Sequence, residues 1–79
     1  MIEKFIEENI EKDLNNFVSF SDLRKRYLTF CKHYDVKPVS KNKFAHDLSK
    51  YNVGTRGRKG INYSNITGRH NVRLLPCKY

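Results

Sequence analysis

The chain has 79 residues, enough for one compact domain over residues 1–79 and too few for the deep cleft that most enzymes need. Sixteen Lys and Arg stand against eight Asp and Glu, a formal net charge of +8, and apolar runs such as Leu74-Leu75 fall far short of the roughly 20 residues that cross a bilayer. The acidic start (Glu3, Glu7, Glu8, Glu11) is unlike a secretory leader and two cysteines make no disulfide framework, so the reading is an intracellular protein with Cys31 and Cys77 as free thiols.

The charge is unevenly placed. Residues 1–14 hold five acids and two bases, whereas residues 15–79 hold three acids and fourteen bases. A field of one sign attracts polyanions, which makes the second part of the chain the candidate binding surface and nucleic acid the expected partner. Neither a membrane nor a small-molecule substrate is expected.

Ile2, Phe5, Ile6, Ile10 and Leu14 recur at helical spacing, so residues 1–14 read as an amphipathic helix whose acids face water. Asn15-Asn16 breaks it. Phe17-Val18 is long enough for a strand of two or three residues, and Ser19-Phe20-Ser21-Asp22 then has the pattern of a capping box. The second helix carries Leu23, Tyr27, Phe30, Cys31 and Tyr34 on one face and must end before Pro38. Ser40 caps a third helix with a stripe of Phe44, Leu48 and Tyr51, leaving Asn42, Lys43, His46, Ser49 and Lys50 on the opposite side and Asp47 toward the flank. Helical periodicity stops after Tyr51. Glycines, small polar residues and bases follow, and the expectation is two antiparallel arms, Val53–Arg58 and Arg69–Leu75, joined by a loop over 59–68 that Ile61, Tyr63 and Ile66 help to pack down.

That order is α+β: a winged helix-turn-helix of three helices with a small antiparallel β-hairpin wing. Its third helix would enter a major groove, with Asn42 and His46 reading base edges, Lys43 and Lys50 meeting guanine or phosphate, and the capped start accepting a phosphate oxygen on its free N–H groups. Thr55-Arg56-Gly57-Arg58-Lys59-Gly60 sets three long cations on a glycine-spaced segment that can follow a backbone or narrow groove, with Arg69, His70 and Arg73 extending the strip.

Rival chemistries fail on spacing. Lys59 is followed by Gly60-Ile61 where a phosphate loop needs Ser or Thr opening a helix. Cys31, His33, His70 and Cys77 match no zinc pattern, and no nucleophile stands beside an oriented base, so no metal, cofactor or catalytic residue is expected. The aromatic residues lie mostly on helix stripes; Tyr63, among polar neighbours, is the one set aside for base stacking.

Glu3-Lys4-Phe5-Ile6-Glu7-Glu8, Phe17-Val18-Ser19-Phe20-Ser21-Asp22-Leu23 with Tyr27 and Phe30-Cys31, and Val39-Ser40-Lys41-Asn42-Lys43-Phe44 with Leu48 together resemble the C-terminal winged-helix module of poxvirus-type and satellite-phage-type primase-helicases. The resemblance runs over residues 3–52, and Gly68-Arg69-His70-Asn71-Val72-Arg73-Leu74 is similar to the family's closing strand after a longer loop. It implies a DNA-binding appendage of a viral or mobile-element replication protein, excised or standing alone, in the host cytoplasm and beside other replication domains; helicase and primase activity belong to domains not represented in these residues. The expected function is duplex DNA binding through Lys41, Asn42, Lys43, His46, Ser49, Lys50, Arg56, Arg58, Lys59 and Arg69, without catalysis. The alternatives are a protein-interaction or oligomerisation module docking through the acidic helix, and a single-strand DNA or RNA binder.

Overall fold

A computed structural model describes residues 1–79 as three helices and a three-stranded antiparallel sheet: α1 (Ile2–Asn9), β1 (Ile10–Ser19), α2 (Phe20–Tyr34), α3 (Lys41–Lys50), β2 (Thr55–Ile61) and β3 (Ser64–Leu74), with strand order β1-β3-β2. The mixed α+β class read from the sequence holds. No helix is long and apolar enough to cross a membrane.

The first helix is shorter than its apolar spacing suggested. It ends at Asn9, a fully buried side chain that donates to the Phe5 carbonyl (3.0 Å) and to the Tyr79 hydroxyl (2.8 Å). Ile10 then turns extended (φ −127°, ψ 136°) and pairs with Leu74. Residues 10–14 therefore belong to a ten-residue strand, and Leu14, placed on the helix stripe by periodicity, is 79% exposed. Pairing with β3 satisfies the backbone of Ile10 to Lys12, and the tertiary ladder overrides a two-turn local pattern. Asp13 to Asn16 interrupt the ladder as a bulge, four residues standing opposite Asn71 alone. Asn15 takes φ +68°, which asparagine tolerates, and its N–H donates to the Asn71 side chain (3.2 Å).

α2 and α3 begin where their caps place them. The Ser19 hydroxyl accepts from the Asp22 N–H at 3.1 Å, and the Ser40 hydroxyl from the Lys43 N–H at 3.2 Å. α2 stops at Asp35 in a left-handed conformation (φ +53°), with the Val36 N–H returning to the Cys31 carbonyl at 2.9 Å. Leu23, Tyr27, Phe30 and Cys31 from α2 and Phe44 and Leu48 from α3 enclose Phe5, and Val18, Val53 and Val72 close the core against the sheet. Aromatic contacts dominate its centre: Phe44 stacks on Tyr27 with centroids 4.5 Å apart, and Phe5 meets Tyr27 edge-on at 5.4 Å. Both cysteines are free, Cys31 buried and Cys77 exposed.

The expected loop over 59–68 is almost wholly strand. β2 and β3 pair without interruption from Thr55↔His70 to Ile61↔Ser64, leaving only Asn62 and Tyr63 as the turn. Both have positive φ (50° and 66°), the geometry of a primed two-residue hairpin that matches strand twist. Ile61 and Tyr63 pack nothing down; they are exposed near the tip. β1 accompanies β3 only from Gly68 onward, so the outer part of the β2–β3 ribbon projects by itself from a molecule 37 × 23 × 23 Å in extent. At its base Gly68 is required by closeness, because a Cβ there would strike the Val18 carbonyl and the Phe17 ring.

Candidate nucleic-acid interface

Burying Phe44, Asp47 and Leu48 rotates α3 so that Lys41, Asn42, Lys43, His46, Ser49 and Lys50 all face solvent. Asp47 does not lie on an open flank. It is buried, and the Lys43 ammonium reaches it at 2.7 Å one turn away, so that lysine is already partly neutralised. Asp47 is also the only acid between residues 36 and 79, against ten Lys and Arg. With it paired, no free acidic side chain from this part of the chain competes for the basic surface.

The register of the hairpin sorts its cations. Residues opposite one another in an antiparallel pair share a face, and faces alternate along each strand. Arg56 lies opposite Arg69 and Arg58 opposite Thr67, so Arg56 and Arg58 share the face on which Val18, across from Arg69 on β1, enters the core. That is the face turned toward α3. Lys59, opposite Ile66, lies on the reverse side with Thr55 and His70. The Gly-Arg-Lys segment thus presents two cations on the α3 side and one behind.

Arg69 sits differently from the other nine residues singled out in the sequence. It is 5% exposed, and its Nη2 donates to the Ala45 carbonyl (3.2 Å) and the Ser49 hydroxyl (2.7 Å), which docks β3 onto α3. Burial, followed by the nearby charge of Arg56, pulls its pKa below the usual guanidinium value. The basic strip does not continue past it. His70 lies against the Phe17 ring (centroids 4.8 Å apart) and beside the Arg58 carbonyl, while Arg73 forms an ion pair with Glu11 at 2.6 Å.

Between the first turn of α3 and the base of the hairpin lies a cleft of about 280 Å³, lined by Lys41, Asn42, Arg56, Thr67 and Arg69 among others. Thr67 was missed in the sequence because residues 59–68 read as loop, and no local signal sets the register that brings it opposite Arg58. No group of three or more His, Cys, Asp or Glu side chains is gathered where it would hold a metal ion. Acids of α1 are drawn into tyrosine hydroxyls instead: Glu3 takes the Tyr51 hydroxyl, and Glu8 those of Tyr34 and Tyr79.

The model of the family described as Poxvirus D5 protein-like matches residues 1–69. The chain belongs to that family. In this poxvirus D5-like domain the matched span takes in the three helices, β1, β2 and β3 as far as Arg69, so it covers every residue lining the cleft. The poxvirus side of the sequence resemblance is therefore supported, over a longer stretch than the motifs alone carried. No curated protein and no solved structure gave a match.

Proposed function

We propose that this poxvirus D5-like domain is a winged helix that binds duplex DNA and acts by binding alone, as a module of a viral or mobile-element replication protein of the primase-helicase kind working inside the infected cell alongside other replication domains. In this reading α3 is the recognition helix, α2 crosses the backbone and β2–β3 is the wing. The observation that carries it is convergence: the solvent face of α3 and the Arg56–Arg58 face of the hairpin border one cleft, and the only acid among residues 36–79 is tied to Lys43. Asn42 and His46 are the side chains suited to base edges, and Lys41, Lys50, Arg56 and Arg58 to phosphates, with Lys59 reaching a strand on the far side of the wing. Lys43, shared with Asp47, acts chiefly by neutralising it. Ser49 and Arg69 hold the wing at a fixed angle to the helix.

Fluorescence anisotropy of a labelled duplex over a salt series tests the reading. Four or five neutralised phosphates correspond to a slope of log K on log salt of about −4. Absence of binding at low salt, or affinity indifferent to salt, overturns it.

One observation favours a second contact mode. Tyr63 is fully exposed at the hairpin tip, where an aromatic ring offers a stacking platform to an unpaired base. If single strands compete better than duplex and Tyr63→Ala weakens binding more than Lys50→Ala, the domain is a single-strand binder.

A further inference from the structure

The Arg69 guanidinium is a buried positive charge without a negative partner. Its hydrogen bonds go to two neutral oxygens, Ala45 O and Ser49 Oγ, and none of the molecule's ion pairs includes it. The residue directly across the ladder is Arg56, another cation, and like charges in that position are destabilising. Buried charges are ordinarily paired. Here both arginines line one cleft together with Lys41 and Asn42, whose first-turn amides have no acceptor within the helix. The Ser40 cap is already committed to the Lys43 N–H, and Asp47, the closest acid in sequence, to the Lys43 ammonium. Every group bordering this space that bears a full charge is therefore a donor carrying positive charge.

We infer that the cleft is a phosphate-binding notch that seats one phosphodiester of the DNA backbone, gripped between Arg56 and Arg69 with Lys41 closing the open side. This rests on the duplex-binding reading and adds to it a defined site. The anion supplies the missing counter-charge, relieves the Arg56–Arg69 repulsion, and adds to the Arg69 bonds that already hold the wing against α3. Binding and wing rigidity are coupled through the same two side chains.

The test compares the 79-residue chain with its Arg56→Gln variant, because Arg56 is exposed and dispensable for packing, whereas a change at Arg69 also removes the bonds to Ala45 and Ser49. Thermal melts are recorded in chloride and in inorganic phosphate at matched ionic strength, and anisotropy is measured with a labelled duplex. Phosphate stabilises many folds through exclusion from the surface, a contribution common to both proteins, so the readout is the difference between them. The notch predicts that Arg56→Gln melts higher than wild type in chloride, loses the extra gain that phosphate gives wild type, and binds duplex about tenfold more weakly. Equal phosphate gains in the two proteins, or unchanged duplex affinity, overturn the notch; the duplex reading then stands if Lys50→Ala still weakens binding. A phosphate gain specific to wild type with no duplex binding shows a site for free phosphate, and overturns both the phosphodiester assignment and the DNA reading.

Discussion

Phe44 touches three of the core's other rings: it stacks on Tyr27, meets Phe5 at 5.9 Å and tilts against Phe20 at 5.7 Å. It also positions the binding helix, since its neighbour on one side is Lys43 and the next turn brings Leu48. Truncation to alanine removes a fully buried ring and leaves a cavity, so Phe44→Ala is expected to lower stability by about 3–5 kcal/mol in urea unfolding. Arginine side chains show how little residue type alone decides. Arg24 donates to the Val39 carbonyl and covers the faces of Tyr27 and Phe44, and Arg26 donates to the Leu75 carbonyl, while Arg56 and Arg58 stand in solvent. The sequence offers no local cue that separates these, nor one that separates Arg56 from the buried Arg69, because burial is decided by cross-strand and interhelical partners distant along the chain.

At the scale of elements, α3 and the hairpin divide the binding task, and the division is measurable. Lys50 and Arg58 are both exposed and free of ion pairs, one on each element. Alanine at either is expected to weaken duplex binding uniformly across sequences and to reduce the magnitude of the salt slope by about one, and Lys43→Ala, which also leaves the Asp47 carboxylate unpaired beside the basic surface, to weaken binding at least as much. Salt-dependent anisotropy on the three variants checks this ordering. The two later helices were legible in advance because their information is local: Ser19 and Ser40 sit three residues before the amides they cap, and the stripes Leu23-Tyr27-Phe30-Cys31 and Phe44-Leu48 repeat at helical spacing. β1 was not. Ile10 and Leu14 carry helical spacing, and only the presence of β3, some 60 residues away in sequence, converts the segment to strand. The outer hairpin was hidden for a different reason. It is exposed on both faces, so no hydrophobic alternation marks it, and its ladder is held by backbone pairing around an Asn-Tyr turn without the usual glycine.

For the whole molecule, Glu8 ties the first helix to both the end of α2 and the end of the chain, accepting from Tyr34 at 2.9 Å and Tyr79 at 2.7 Å. The Tyr79 hydroxyl, and after it that of Tyr34, holds the Glu8 carboxyl below its ordinary pKa of 4.5, while burial, then Glu8, pushes Tyr79 up to about 12. A depressed carboxyl contributes stability that is present above its ordinary value and is lost as pH falls through the lowered one; a raised tyrosine contributes stability that is present below about 10 and is lost as pH climbs toward 12. Thermal melts are thus expected to show a plateau from about pH 5 to 9 with falls on either side, and Glu8→Gln to flatten the acid side. This latch joins α1, α2 and the chain end, leaving the basic face of α3 and the hairpin to meet the ligand. The most direct test of that assignment is amide chemical-shift mapping of the domain titrated with a short duplex at low salt. The account predicts perturbations concentrated in residues 41–50 and 55–69 with α1 unmoved; shifts confined to α1, or a spectrum unchanged by duplex, would contradict it.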